Sequence, residues 1–261
     1  MEVVVTNSPE QLARLGADAV LEAMGRRARP TLGLATGSSP RGIYAELGRR
    51  VRAGEASLAR VRAFLLDEYV GLGEDHPQRY RNVIARDLLD HVDIDPGRVR
   101  GPDGLADDIE AECVAYEQAI ARAGGIDLQI LGIGSDGHIA FNEPGSSLAS
   151  RTRIKTLTRQ TRQDNARFFG DDVEAVPVHC LTQGIATIMA AGHLLLVATG
   201  RAKAEAVHQL VEGPISAMWP ATALQWHPHV TVLVDEAACA RLQLAPYFVD
   251  TFEHKPDWQG F

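Results

Sequence analysis

Cysteine is nearly absent from this chain. The three in 261 residues, Cys113, Cys180 and Cys239, stand too far apart in sequence to make a CxxC redox pair or a cysteine-rich zinc site. Small, weakly polar thiols of this kind are expected to be buried. Lysine is equally scarce: Lys155, Lys203 and Lys255 are the whole supply, and arginine fills the other basic positions. With 26 Lys+Arg against 34 Asp+Glu the formal net charge is -8, and no basic block interrupts the balance, which argues against a nucleic-acid binder. No stretch reaches about 18 apolar residues, and the opening MEVVVTNSPEQ puts no cationic segment ahead of an apolar run. Neither a membrane span nor a secretory leader is expected, and the chain reads as cytoplasmic. Repeats, low-complexity tracts and Pro/Ser-rich linkers are missing too, so nothing divides the chain into parts.

What is present suits a globular enzyme. Hydrophobic residues make up 45% and charged residues 23%, enough apolar surface at this length for one full core. Short aliphatic or β-branched runs recur at residues 2–5, 31–35, 61–66, 127–133, 194–198 and 230–234, each followed by a turn and a helix-like stretch. That alternation predicts a single α/β domain over residues 1–261, a Rossmann-like, open and mostly parallel sheet with helices on both faces. Ser8-Pro9-Glu10-Gln11 carries an N-cap, an N1 proline and an N3 glutamine, and Ser39-Pro40 repeats the cap-plus-proline pattern. Residues 151–177 are polar and arginine-rich, which fits either a mobile flap beside a site or a solvated helix pair.

In an open parallel sheet, ligands bind beyond the carboxyl ends of the strands, so the residues after each run carry the functional reading. Thr36-Gly37-Ser38-Ser39 offers a tight turn, three hydroxyls and a helix start, the parts of a phosphate cradle. Thr199-Gly200-Arg201-Ala202-Lys203 sets a lysine on another helix start at the same edge. Asp67 ends an apolar run beside Glu68, and desolvation with a like charge nearby raises a carboxyl pKa and makes it a better carbon-proton base. Asp136, His138 and Glu143 gather two carboxylates and an imidazole within eight residues, equipment for moving protons between oxygens. Gly132-Ile133-Gly134-Ser135-Asp136-Gly137 matches GxGxxG, but no acid lies about 20 residues on and Pro144-Gly145 interrupts the helix a dinucleotide loop would open. Those glycines are better read as backbone that must turn sharply and admit a ligand closely.

Taken together, GLATGSSPRGIY, LLDEYVGL, DLQILGIGSDGHIAFNEPGSSLASRTRIKTLT and VATGRAKAEAVHQLVEGPISAMWPATALQWHP closely resemble the glucosamine-6-phosphate deaminase (isomerase) family, from about Met1 to Leu242. The resemblance implies conversion of glucosamine 6-phosphate and water to fructose 6-phosphate and ammonia, with no metal or organic cofactor. It assigns ring opening to His138 flanked by Asp136 and Glu143, and the C2-to-C1 proton transfer to Asp67. The phosphate would be held by Thr36, Gly37, Ser38, Ser39, Arg167 and Lys203. A second site in some members binds N-acetylglucosamine 6-phosphate as activator, through positions matching Ser146, Arg153, Lys155 and Thr156. The C-terminal LAPYFVDTFEHKPDWQGF keeps a Tyr-Phe pair and otherwise departs from the pattern. A homo-oligomer, a hexamer by preference, is also implied.

Three other readings compete. A 6-phosphogluconolactonase-like hydrolase would share the phosphate anchors and the imidazole but have no use for a carbon-proton base at Asp67. A non-catalytic sugar-phosphate sensor would need the anchors alone. His227-Pro228-His229 could in principle seed a metal site, but its spacing fits no common zinc motif and a surface turn is the simpler expectation.

Overall fold

The computed structural model describes residues 1–256 and 258–261. In chain order it runs β1 (Glu2–Thr6), α1 (Pro9–Gly25), β2 (Thr31–Leu34), α2 (Arg41–Arg52), β3 (Arg62–Leu65), β4 (Asp67–Tyr69), α3 (Tyr80–Asp87), β5 (Val99–Arg100) and α4 (Ile109–Arg122). It continues through β6 (Leu128–Leu131), β7 (Arg153–Thr156), α5 (Arg159–Ala166), β8 (His179–Thr182), α6 (Ile185–Ile188), β9 (Leu194–Ala198), α7 (Ala204–Glu212), β10 (Val230–Asp235) and α8 (Ala245–Glu253). No helix among the described residues is long and apolar enough to cross a membrane.

Seven strands form one sheet in the order β1-β10-β9-β6-β2-β3-β5, and every recorded pairing in it is parallel. The inner strands β2, β6 and β9 are buried at every position, which is why they read as continuous aliphatic runs rather than alternating ones. The expected α/β architecture is present, with helices flanking this sheet. Ser8 caps α1 by accepting from Gln11 N–H, and Gln11 Oε1 in return accepts from Asn7 N–H. The second cap is not as expected: α2 starts at Arg41 behind Pro40, whose backbone is already helical, and no side chain caps it. Ser38 and Ser39 line a cleft instead.

Strand order reverses between β2 and β6. From β2 the chain proceeds to β3 on one side, and from β6 to β9 on the other, so the connections diverge and leave a crevice at the strands' carboxyl ends. The loops containing Thr36 and His138 emerge there.

A second sheet, β4-β8-β7, is antiparallel and does not show in the sequence pattern. Asp67-Glu68-Tyr69, expected as a loop after β3, is its strand β4, and Asp67 pairs with Thr182. Only Leu66 separates the two strands, with its N–H donating to Leu34 O in the large sheet and its carbonyl accepting from Gln183 N–H beside the small one. Residues 151–177 are likewise not a helix pair: they hold β7, α5 and a 3-10 turn at Val173–Ala175. A satellite core of Tyr69, Leu72, Phe141, Leu157, Ala166, Val176 and Cys180 packs this layer together. All three cysteines are free and buried.

Candidate active site

A cleft of about 540 Å³ opens at the reversal point. Its walls include Thr36, Gly37, Ser38 and Ser39 from the end of β2, Asp67 from β4, His138 from the loop after β6, Arg167 after α5, and Lys203 before α7. Segments far apart in sequence thus converge because parallel strands deliver their carboxyl ends to one edge.

Gly37 has φ +99, a conformation that L side chains rarely adopt, and it turns the chain from β2 toward the amino end of α2. Lys203 closes a short 3-10 turn ahead of α7 rather than lying in the helix itself. Burial pulls the Lys203 ammonium below its ordinary pKa, and Arg167 adds to the effect while Asp164 and Asp136 oppose it. Two cations lining one cleft favour an anion there. Arg41 and Arg86 also line the cleft, and Asp87 holds both, at 3.0 Å from the Nε of each. Sequence reasoning missed this pair. Arg41 was readable as a cation in the first turn after the hydroxyl loop, whereas Arg86 had no local signal and arrives only through the packing of α3 against α2.

Asp67 is 6% exposed and borders the cleft. Burial first, and the Glu68 charge second, push its carboxyl well above the usual aspartate range. Glu68, on the opposite side of the strand, serves the fold instead, accepting backbone N–H bonds from Tyr69, Tyr80 and Arg81 and so closing the amino end of α3. Burial raises its pKa, with those bonds opposing. Alternation along β4 therefore separates one carboxylate facing the cleft from one that fastens a helix.

Asp136 Oδ1 lies 2.7 Å from His138 Nδ1, and the same oxygen accepts from the His138 backbone N–H at 3.2 Å. At 2.7 Å the carboxylate oxygen stands directly against the buried Nδ1 and orients the ring. Burial raises the Asp136 pKa, but the pull of His138 outweighs it and holds the carboxyl below its ordinary value. Glycine is required beneath the ring: a Cβ on Gly134 would sit 2.2 Å from His138 Cε1. Ala140, also in the cleft wall, has φ +50, strained for a residue with a Cβ.

Glu143 stands apart from this pair. It is buried, and the recorded bonds of its carboxylate all come from Thr158, from the backbone N–H at 3.0 and 3.1 Å and from the hydroxyl at 3.1 Å. No hydrogen bond joins it to Asp136 or His138 among the described residues, and neither Asp136 nor Glu143 is part of the cleft wall. In this arrangement Asp136 meets the His138 ring while the Glu143 carboxylate fastens the start of α5. Asn165 on α5 in turn donates to Tyr69 Oη at 2.9 Å.

Ser146, Arg153, Lys155 and Thr156 lie outside the cleft. Arg153 and Lys155 share one half-buried face of β7, Thr156 is exposed on the other, and the buried Ser146 hydroxyl has no hydrogen-bond partner among the described residues. His227 is not on a surface turn: it is buried, its Nε2 is 2.8 Å from Ala191 O, and its Nδ1 accepts from His229 N–H.

The family model for glucosamine-6-phosphate isomerases/6-phosphogluconolactonase matches residues 6–233. Glucosamine-6-phosphate deaminases of Beutenbergia cavernae and Mycolicibacterium smegmatis are 66% and 65% identical over 260 residues, covering 100% of this chain and of each relative. A solved monomeric glucosamine-6-phosphate deaminase superposes with a TM-score of 0.89 at 43% identity, over 92% of this chain and 99% of that one. The 6-phosphogluconolactonase from Leishmania guyanensis shares the fold at a TM-score of 0.74 and 22% identity, over 92% of this chain and 98% of its own. On full-length identity and matching architecture, the chain belongs to the glucosamine-6-phosphate isomerase/6-phosphogluconolactonase family, in its deaminase branch.

Proposed function

We propose that this enzyme converts glucosamine 6-phosphate and water to fructose 6-phosphate and ammonia, the activity its full-length relatives are named for. The observation that carries the reading is the buried carboxylate of Asp67 in a cleft that also holds an anion cradle and an imidazole. A lactone hydrolase has work for the cradle and the imidazole, and none for a carbon-proton base.

In this reading the substrate phosphate sits among the Thr36–Ser39 loop, Arg167 and Lys203, and the sugar extends toward Asp67 and His138. His138, its ring held beside Asp136, moves the proton between the ring oxygen and the anomeric hydroxyl as the C1–O5 bond breaks. Asp67 takes the proton from C2 of the open chain as the C1 carbonyl oxygen gains one, giving an enolamine, and returns it to C1 as the amine nitrogen gives one up, giving a ketimine. Water adds to the ketimine carbon, ammonia leaves, and the ketose remains. Glu143 contributes by fixing Thr158 and with it the approach of α5. No step calls on a metal or organic cofactor.

Activation and assembly belong to the same reading. N-acetylglucosamine 6-phosphate would bind through Ser146, Arg153, Lys155 and Thr156, residues 151–177 would act as a flap, and the chains would assemble as a hexamer in the cytoplasm. The solved relative described as monomeric stands against the last of these. Light scattering reads the mass, and a saturation curve with and without N-acetylglucosamine 6-phosphate reads activation. A monomer with an unchanged curve removes both.

The main claim is tested by incubating purified protein with glucosamine 6-phosphate in excess chelator. Equal amounts of ammonia and fructose 6-phosphate are expected. Turnover of 6-phosphogluconolactone without ammonia release from the amino sugar would favour the lactonase instead.

A further inference from the structure

Four arginines surround a second groove of about 460 Å³ lined by Ala28, Arg29, Arg60, Arg62 and Arg98. It shares no residue with the catalytic cleft and lies at the other end of the same strands. Arg29 precedes β2 by two residues, Arg60 precedes β3 by two, Arg62 opens β3, and Arg98 immediately precedes β5. Strands β2, β3 and β5 are neighbours in parallel register, so their amino ends bring these side chains to one place. A four-residue strand spans about 13 Å, which separates the groove from the cleft by the depth of the sheet.

Charge is what sets the groove apart. In a protein of net charge -8, Arg29, Arg60 and Arg62 have no carboxylate partner among the described residues, and Arg98 has only the exposed Asp95 at 3.7 Å. Two of the guanidiniums are oriented by carbonyls: Arg62 Nη2 donates to Ala123 O at 2.8 Å, and Arg98 Nη1 to Ala59 O at 3.1 Å. Arg62 Nε is buried with no acceptor among the described residues. A charged donor withdrawn from water and left unpaired is costly, and guanidinium forks that converge without counter-charge match phosphate oxygens. Four guanidiniums, three of them without a carboxylate partner among the described residues, around this volume exceed what one phosphate needs. The lining holds no aromatic ring, only Ala28 besides the arginines, so nothing there would stack a base.

We propose that this groove is a second anion site, distinct from the catalytic cleft, whose ligand is a small oligophosphate recognised through its phosphate chain. Arg29 lies two residues before the strand that leads to the Thr36 loop, and Arg62 opens the strand that leads through Leu66 to Asp67, so an occupied groove lies in line with the catalytic elements.

The test is calorimetric titration of inorganic tripolyphosphate into the full chain at physiological salt, with the cleft saturated by fructose 6-phosphate and orthophosphate as comparison. Saturable one-to-one binding is expected, at least tenfold tighter than orthophosphate. The double variant Arg60→Ala/Arg98→Ala, which removes two exposed side chains, should weaken it at least tenfold and leave kcat and KM for glucosamine 6-phosphate unchanged. Binding that is absent, equal in the variant, or displaced by fructose 6-phosphate overturns the proposal. So does a single-stranded RNA that occupies the groove more tightly than tripolyphosphate. The comparison of variant with unmodified chain reads the groove whatever the cleft turns over, so the two readings fail separately.

Discussion

Asp67 illustrates how one residue can be unfavourable for the fold and necessary for the reaction. A carboxyl whose pKa is raised by burial and by Glu68 costs stability whenever it is ionised. The sign is set by the raised value: the group favours the folded state while protonated, and this is lost as pH climbs through the folded pKa. Asp67→Asn keeps the shape and removes the charge. It should abolish solvent exchange at C2 of the substrate, leave binding within a few-fold, and raise Tm by roughly 2–4 °C for each kcal/mol of repulsion and desolvation relieved. Exchange followed by NMR alongside a thermal melt checks both, and retained exchange would move the base elsewhere. The same shift predicts that kcat/KM falls on the acid side at a pH well above 3.8, because a proton on Asp67 disables the base. Asp67 was readable from FLLDE, an apolar run ending in two acids. The partition of labour was not: Asp67 faces the cleft while Glu68 closes α3, and only strand pairing decides which side each takes.

Helix α5 shows the same limit at the level of an element. Thr158 caps it by accepting from Thr161 N–H, and Glu143 in turn grips Thr158 through both its backbone N–H and its hydroxyl. Loss of such a cap costs about 0.5–2 kcal/mol of helix stability. Thr158→Ala should therefore loosen the segment that carries Asn165 and leads to Arg167, raising KM several-fold with a smaller change in kcat, while Thr158→Ser restores it. A saturation curve for each variant is the check; an unchanged KM would mean that the apolar contacts of Leu157, Ala166 and Phe169 hold the segment unaided. The elements legible in advance were those with an aliphatic run or a cap, such as β9 and α1. Strands β4, β7 and β8, reading DEY, RIKT and HCLT, carry no such signature. They become strands because partners more than a hundred residues away, in the case of β4 and β8, supply their hydrogen bonds.

Across the whole molecule, the two ends of the sheet are built differently. The carboxyl ends hold the cleft; near the amino ends of β9 and β10, His193 and His229 stack with ring centroids 3.7 Å apart and planes at 2°. His193 also meets Thr231 Oγ1 at 2.9 Å. Burial pulls the His193 pKa down to about 3, and His229, Arg26, His227 and Lys255 add to the effect; burial, Arg26 and His227 lower His229, against Glu2 and a Phe261 backbone bond. For a base with a depressed folded pKa the unfolded chain binds the extra proton, so the contribution is complete above about pH 6.5 and declines as pH falls toward 3. Tm should drop between pH 7 and 5, His193 accounting for up to about 1.4 kcal/mol per pH unit, and His193→Asn should flatten the decline. Parallel melts of the two proteins measure the difference, and profiles of equal slope would refute it.

The amino-acid sequence by itself determined the α/β class, the loops at the strand ends and the family, because aliphatic periodicity, turn residues and ordered motifs are local properties of the chain. The tertiary structure alone decided that Asp67 lies where two sheets meet, that Glu143 bonds to Thr158 rather than to His138, that Arg41 and Arg86 join the cleft, and that four arginines meet at the opposite end. Those outcomes depend on strand order and register, which are settled by pairing between distant segments competing to bury apolar surface and satisfy backbone hydrogen bonds, and no short window of sequence records which pairing wins.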